Sequence, residues 1–254
     1  MADQANTQSP FLRELASSDP ELRTSALDNL RTYLSAHAAF QPLELLKLWK
    51  GLYYSMWMCD KPLAQQRLAA ELADLINTVR LENVLPFLEA FWLTIAREWT
   101  GIEALRMDKY LRLVRFVLRA SFVWLSRNHW ADIKSRRKYL AILEETPLCA
   151  KDIRVPNGLR YHVLDIYVDE LEVVMPEAEA QWKEVPLEEM LGPVTKLAKN
   201  SPTKPVRKRA RETLEDENVL KWLGKEKPKE VVQSNDESVE GNDEDDGDFG
   251  GFED

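Results

Sequence analysis

The chain is poor in the residues that build covalent cross-links and nucleotide-binding loops. It has two cysteines, Cys59 and Cys149, and neither belongs to a Cys-x-x-Cys or Cys/His cluster. This pattern disfavours a disulfide framework or a zinc site and fits a reducing compartment. With only nine glycines in 254 residues, the body has no glycine-rich loop to hold a phosphate, and the common nucleotide and hydrolase motifs are missing. We therefore expect no cofactor and no metal.

Catalytic groups are also sparse. The three histidines, His37, His129 and His162, are isolated from one another in the sequence. His162 and Asp165 have the spacing of a hydrogen-bonded pair on one helix face, which is more often structural than catalytic. The body has no cluster of carboxylates of the kind that holds a nuclease metal. The sequence thus predicts a protein that is not an enzyme and has no small-molecule substrate.

Strand signals and long apolar runs are missing as well. No segment alternates apolar and polar residues with a period of two around Asn-Gly or Asp-Gly turns. No run reaches the ~18 consecutive apolar residues that a membrane-spanning helix needs. The first ten residues, MADQANTQSP, lack the apolar centre of a signal peptide. Accordingly, we expect no membrane association.

The sequence does have helical periodicity, with proline at regular intervals. Pro20, Pro42 and Pro62 open apolar runs at the first helical position, where the missing N–H costs nothing, and Pro86 is expected in the first turn of the next run. The interval of about 44 residues per helix pair falls within the ~40–47 residues of HEAT and armadillo repeats. No side-chain signature repeats from pair to pair. The predicted fold is all-α, an irregular HEAT/armadillo-like helical-repeat stack.

Composition divides the chain into four segments. Residues 1–8 are expected to be a flexible N-terminus, and residues 9–175 the helical-repeat domain. Prolines punctuate residues 176–223, which predicts a basic extension with short helices outside the core. Residues 224–254 combine charge with few large apolar side chains, which predicts a disordered acidic tail. Ten acids and no basic residue fall within 233–254, so the chain up to Val232 carries +1 of the total charge of -9.

A basic stretch runs through the middle of this nearly neutral body. Basic residues recur at helical spacing along a helix predicted over 107–127, and a second group follows directly. Such a face suits a phosphate backbone, since each contact releases counterions. A solvated face with salt bridges to Glu98, Glu103 and Asp108 is the open alternative. The candidate RNA-contact residues are Lys109, Arg112, Arg115, Arg119, Arg127, Lys134, Arg136, Arg137 and Lys138.

A second basic run lies between Lys196 and Arg211, with seven Lys or Arg and no acid. A short, exposed segment of this kind is typical of a nuclear-localisation signal or a nucleic-acid-binding arm. A solvated linker remains the alternative. The candidates for localisation or RNA binding are Lys204, Arg207, Lys208, Arg209 and Arg211.

Two groups of aromatic residues have open interpretations. Trp49, Tyr53 and Trp57 are spaced four residues apart, so they form either part of the helical core, which is the commoner case, or a protein-interface ridge. Phe249 and Phe252 lie within the acidic tail and are similar to the anchors of short linear motifs. The alternative for the tail is a purely solubilising segment.

Three blocks of this sequence resemble the nucleolar ribosomal RNA-processing protein 1 family. They are WMCDKP (57–62), FWLTIAREWTGIEALRMDKYLRLVRFVLR (91–119) and PNGLRYHVLDIYVDEL (156–171), and they occur in the expected order. The resemblance extends from about residue 11 to residue 174. It implies a non-enzymatic assembly factor with an all-helical HEAT-like fold, located in the nucleus and nucleolus and needed for precursor rRNA processing. The implied partners are precursor rRNA of the large subunit and other pre-60S assembly factors.

Two other classes of protein are alternatives to this interpretation. A helical-repeat adaptor that binds peptide or protein cargo in the nucleus would need a groove lined at regular offsets by acidic or Asn/Trp residues, and no such ladder is visible. A nuclease would need the clustered carboxylates or paired histidines that the body lacks. The adaptor is therefore the main alternative.

Overall fold

A computed structural model describes residues 14, 15, 17 and 19–225. Within this part the chain forms helices and no strand. The α-helices described are α1 Pro20–Ala36, α2 Pro42–Met58, α3 Pro62–Asp74, α4 Leu81–Glu98, α5 Met107–Ser126, α6 Ile133–Glu145, α7 Asn157–Glu172, α8 Leu187–Met190, α9 Gly192–Asn200, α10 Lys204–Leu214 and α11 Glu217–Trp222. The predicted flexible N-terminus and, apart from Gly224 and Lys225, the predicted acidic tail lie outside the described residues.

Proline opens α1, α2 and α3 as the sequence predicts. Pro20, Pro42 and Pro62 each occupy the first helical position. The prediction for Pro86 is wrong, because α4 begins at Leu81 and the proline lies inside the helix. The missing N–H at this position removes one intrahelical bond near the start of α4. Proline therefore marks the start of three helices correctly, but it does not mark the start of α4.

The helices from α2 onward pack in two rows, because most of them contact a helix two or three places further along the chain. One row contains α2, α4, α6 and α9, and the other contains α3, α5, α7 and α10. Contacts between α9 and α10 join the rows at the C-terminal end of the described residues. In this arrangement, a side chain on α5 meets partners from α3 and α7, which are distant from it in the sequence.

The core contains most of the aromatic stripe on α2. Trp49 is buried and its indole N–H donates to the Phe87 carbonyl at 2.8 Å. Tyr53 is also buried and stacks on Tyr110 with ring centroids 4.7 Å apart. Trp57 is half-buried at the edge of the same cluster. The core interpretation is confirmed for the first two residues. As candidates for a protein interface, Trp49 and Tyr53 are corrected, since neither side chain is accessible.

The core continues beyond residue 175. Leu197, Val206 and Val219 are fully buried and belong to the same hydrophobic cluster as the side chains of α2 to α7. The Tyr167 hydroxyl of α7 donates to the Met190 carbonyl at 2.6 Å. The interpretation of residues 176–223 as an extension outside the core is therefore wrong. The low overall apolar content of this segment conceals short helices that each bury one face.

Candidate nucleic-acid interface

Lys109 lies on the inner side of α5 and not on its outer face. The side chain is 4% exposed, and its ammonium donates to the carbonyls of Trp57 at 2.8 Å and Cys59 at 2.9 Å. These carbonyls belong to the C-terminal end of α2, where a helix has no partners of its own for its last C=O groups. Burial lowers the pKa of Lys109. The prediction that this lysine presents its charge to a partner is wrong, because its donors stabilise the fold.

Arg115 and Arg119 are used to hold α7. Both guanidinium groups bond the carboxylate of Glu170, which is completely buried, with N···O distances of 2.5 Å. Arg115 also pairs with Asp169 at 2.6 Å. The basic face of α5 is thus largely neutralised by acids of α7. Of the acids named for the alternative of a salt-bridged face, Glu103 does pair with Arg106 at 3.1 Å, and Glu98 pairs with Lys50 and Arg97.

Arg112 is the exception on α5. It is exposed, and the described residues provide no ion pair for it. Arg112 lies three residues from Lys109 and three from Arg115, which is about 60° around the helix in each direction. This small angular difference separates the unpaired Arg112 from two residues whose charges stabilise the fold. Arg112 remains a candidate for contact with an anionic partner.

The turn between α5 and α6 has an unusual backbone. His129 has φ of 55° and Trp130 has φ of 63°, the left-handed region that side chains other than glycine seldom adopt. Each such residue costs on the order of 1–3 kcal/mol and persists only where its surroundings hold it. Here Trp130 is buried and its carbonyl accepts from the Arg136 guanidinium at 2.6 Å. Asp132 then caps α6 by accepting from the Ser135 N–H at 3.0 Å.

Glu189 organises the basic cluster that follows this turn. Its carboxylate accepts from Arg136 at 2.6 Å and from Arg137 at 2.8 Å. Partial burial opposes its ionisation, but these two hydrogen bonds prevail and lower the pKa of Glu189. Arg136 is 7% exposed, so its place among the outward-facing candidates is corrected: it anchors the turn. Arg137 keeps 72% of its side chain exposed despite the pairing.

The remaining cations of this region form what we call the 127–138 surface, which consists of Arg127, Lys134, Arg137 and Lys138. All four are exposed. Lys134 and Lys138 are one helical turn apart and have no ion pair among the described residues, while Arg127 bonds the side chain of Asn77. Asp132 is the one acid within this stretch, and it is occupied as a helix cap. The surface can contact phosphate groups through several long, accessible side chains.

The second basic run begins on α9 and continues, from Lys204, as α10, which packs against α7 and α9. Val206, Ala210 and Thr213 face inward and are buried. Arg209 pairs with Asp165 of α7 at 2.6 Å, and Arg207 donates to the Ser201 carbonyl at 2.8 Å. The expectation of an exposed arm is corrected accordingly. Only part of the run is free to meet a partner.

The solvent-facing cations of α10 form a stripe. Lys204, Lys208 and Arg211 are exposed and spaced four and three residues apart, so they share one helix face. Lys208 has Glu212 within 3.5 Å, in an exposed pair of the kind that contributes little. On α10, Arg207 and Arg209 therefore make contacts within the fold, whereas Lys204, Lys208 and Arg211 are accessible to a partner.

His162 has a structural role that differs from the predicted one. Its Nε2 lies 2.9 Å from the Leu111 carbonyl and its ring stacks on Trp99, whereas Asp165 bonds Arg209. Burial lowers the pKa of His162, which favours the neutral ring. Because the Leu111 carbonyl can only accept, its contact with Nε2 places the proton on that nitrogen. Burial likewise raises the pKa of the Cys59 thiol. Neither group has the surroundings of an activated nucleophile or base.

Metal-binding clusters and membrane-spanning helices are both absent from the part of the chain that the structure describes. Residues 14, 15, 17 and 19–225 contain no group of three or more His, Cys, Asp or Glu side chains placed to hold a metal ion. No helix in this range is long and apolar enough to cross a membrane.

Sequence reasoning missed the two carboxylates that organise the basic residues, Glu170 and Glu189. The sequence does contain a signal for Glu170, because this acid lies between Val168 and Leu171 on the face of α7 that carries apolar residues. An acid on the apolar face of a helix needs a partner when buried. Glu189 has no such signal, since the short helix that carries it has too few residues to show periodicity.

The described residues define a class: an all-helical protein built of two rows of helices, with accessible cations at one turn and on one short helix. The chain matches the family model described as Nucleolar protein, Nop52, over residues 6–249. This match covers nearly the whole sequence, and the chain belongs to that family. The family assignment that the three sequence blocks predict is thereby confirmed, as is nucleolar localisation.

Curated relatives carry names that refer to ribosomal RNA processing. The chain is 44% identical to "Ribosomal RNA processing protein 1 homolog B" of Homo sapiens over 171 residues, 65% of this chain and 22% of the relative. The corresponding protein of Mus musculus is 42% identical over 65% of this chain and 23% of its own length. "Ribosomal RNA processing protein 1 homolog" of Caenorhabditis elegans is 35% identical over 67% and 43%. The chain thus spans less than half the length of these relatives.

Proposed function

We propose that this protein is a non-enzymatic assembly factor of nucleolar pre-60S particles. In this role it supports precursor rRNA processing as a scaffold between rRNA and other assembly factors. The observation that carries the proposal is the 127–138 surface, where accessible cations surround a strained turn that buried residues hold in place. Membership in a family of nucleolar proteins and the names of the relatives support the same function.

A HEAT-like stack is part of this proposal. The second-row helices α3, α5, α7 and α10 begin at intervals of roughly 45 to 50 residues, close to the repeat length of that architecture. Contacts between alternate helices are those of stacked helix pairs, each of which contacts mainly its neighbours. Such a stack holds widely separated surfaces in constant relative positions. A scaffold needs this property more than it needs a deep pocket.

The basic residues fall into two groups, and this division suggests how the protein would contact RNA. Arg115, Arg119 and Arg136 bond buried or half-buried carboxylates and stiffen the stack. The 127–138 surface keeps its charge available, so phosphate groups of RNA can replace its counterions. Contacts of this type position RNA and carry little sequence information. The proposed contact therefore recognises an accessible backbone and relies on neighbouring proteins for the choice of site.

The test is RNA binding by the full chain with Lys134→Glu and Lys138→Glu combined. Both side chains are exposed and unpaired among the described residues, so the variant should fold normally. We expect affinity for a large-subunit precursor rRNA fragment to fall by roughly tenfold or more, and the slope of log affinity against log salt to decrease by about 1 to 2. Fluorescence anisotropy over a series of salt concentrations measures both.

The matched control reverses Lys47, an exposed lysine of α2, together with Lys151, which precedes α7. This variant has the same net charge and should bind RNA with a salt slope close to that of the wild type. If the two double variants weaken binding equally, the contact is general electrostatic attraction and the 127–138 surface has no particular role.

The stripe on α10 offers a second candidate contact. A receptor that reads Lys204 to Arg211 as an extended peptide would require α10 to unfold and would expose Val206 and Ala210. A partner that reads a folded helix meets Lys204, Lys208 and Arg211 without this cost. We therefore favour a phosphate contact of the folded helix over a linear localisation signal at this position.

A further inference from the structure

A groove runs between α3 and α5, with a volume of about 390 Å³. Its floor consists of small or apolar side chains: Ala70 and Ala73 of α3, and Phe116, Ala120 and Val123 of α5. The alanines leave space that larger side chains would fill, and Val123 is 38% exposed. An apolar depression of this size on an otherwise charged helical surface is suited to short apolar anchors of a peptide.

Cations surround this floor. Arg67 on α3 and Arg112 on α5 are exposed and unpaired among the described residues, and each lies one turn from a floor residue of its own helix. Arg119 lines the wall, and Arg127 bonds Asn77 at the other end. One acid, Asp74, also lines the groove and accepts from the Asn77 amide at 2.6 Å. The groove is therefore apolar in the middle, and the exposed cations Arg67, Arg112 and Arg127 lie beyond its lining, while Arg119 on its wall is already paired with Glu170.

Such a groove fits a segment with aromatic side chains among carboxylates. Residues 243–254, DEDDGDFGGFED, have this composition, with Phe249 and Phe252 and seven acids. The 24 residues from Lys225 to Phe249 can span at most roughly 80 Å. The helix α11 packs on α7, which neighbours α5, and packed helices lie only ~8–10 Å apart. The segment is long enough to reach the groove within one molecule.

We propose that residues 243–254 bind the α3–α5 groove of their own chain. Phe249 and Phe252 occupy the apolar floor, and the surrounding carboxylates pair with Arg67, Arg112 and Arg127. Attachment to the same chain raises the local concentration of the segment to the order of mM, so even a weak contact is populated. The inference rests on shape and charge at the groove and does not depend on RNA binding.

The test places a photo-crosslinking residue, p-benzoylphenylalanine, at position 252 of the full chain. We expect crosslinked peptides to map to α3 and α5, between residues 66 and 77 and between 112 and 127. The crosslinked fraction should not change on tenfold dilution, since the contact is intramolecular. Combining Arg67→Glu with Arg112→Glu should lower that fraction by at least fivefold.

Two further variants complete the design. Ala70→Glu places a larger, negatively charged side chain on the floor and should also lower the crosslinked fraction. Because Ala70 is exposed, we expect this variant to fold normally. Lys47→Glu on α2, in the other row, should leave it unchanged. The proposal is overturned by crosslinks that map mainly to α10 or elsewhere. It is overturned equally by crosslinks that disappear on dilution, which indicate a second copy, or by an unchanged fraction in both groove variants.

Discussion

Lys109 and Arg112 show how position on a helix decides what a basic residue does. They are three residues apart on α5, and both have the spacing of the predicted basic face. Lys109 turns toward α2 and donates to the Trp57 and Cys59 carbonyls, whereas Arg112 faces solvent. We therefore expect these two basic residues to contribute very different amounts to the free energy of unfolding, although both carry the same charge.

This difference predicts unequal effects of matched substitutions. Lys109→Met removes one of two donors from each of the Trp57 and Cys59 carbonyls, to which Arg106 and Gln65 still donate. A lost hydrogen bond costs ~0.5–1.5 kcal/mol, so we expect a loss of roughly 1–3 kcal/mol of unfolding free energy. Arg112→Met should change stability by less than about 0.5 kcal/mol, as surface substitutions usually do. Urea denaturation followed by circular dichroism measures both. Equal effects would show that Lys109 does not stabilise the end of α2.

At the scale of the element, α7 is held between two basic helices. Its acids Asp169 and Glu170 bond arginines of α5, and its Asp165 bonds Arg209 of α10. The helix therefore forms the negatively charged middle of the second row. The basic residues of α5 have the spacing of a binding face when this helix is considered by itself. In the folded protein, ion pairs with acids of α7 help to align α5, α7 and α10, which are far apart in the sequence.

Glu170 is the critical member of this arrangement. Glu170→Gln removes the charge that two arginines share, and breaking a buried pair costs ~3–5 kcal/mol. Because Arg115 and Arg119 are each about 40% exposed and regain some hydration, we expect a smaller loss of about 2 kcal/mol. The neighbouring exposed residue serves as the control: Asp169→Asn should cost less than about 0.5 kcal/mol. Thermal unfolding distinguishes the two, and similar shifts in Tm would contradict the assignment.

At the scale of the whole molecule, the C-terminal helices complete the core. The segment after residue 175 contributes buried apolar side chains that cover α6 and α7. They include Leu187, Met190, Leu191, Val194, Leu197 and Val206. The matched segments of the relatives cover about two thirds of this chain, so the folded unit and the most similar region need not coincide.

A chain that ends at residue 175 should therefore not fold stably. Burial of a large apolar side chain contributes ~1.5–3 kcal/mol, so five or six of them contribute on the order of 10 kcal/mol, comparable with the whole stability of a domain. We expect this shortened chain to lose cooperative thermal unfolding. A chain that ends at residue 225 should keep it. Cooperative unfolding of both chains, with similar midpoints, would show that the segment up to Met175 forms an independent core.

Local spacing was sufficient for much of the fold. The prolines at 20, 42 and 62 and the apolar periodicity of α2 to α7 predict the helices, because these signals act within one or two turns of the chain. The burial of Trp49 and Tyr53 follows from the same periodicity. The prediction for the segment after residue 175 is wrong, since its helices are too short for periodicity to separate a buried face from a polar one.

The sequence by itself determined the helices, their order, the family and the imbalance between a nearly neutral body and an acidic C-terminal segment. Only the tertiary structure decided which basic residues remain available. Lys109, Arg115, Arg119 and Arg136 are occupied by carbonyls and carboxylates from distant helices, whereas Lys134 and Lys138 have no ion pair among the described residues. The physical reason is that helix formation depends on neighbours in sequence, whereas the state of a charge depends on the partners that packing brings to it.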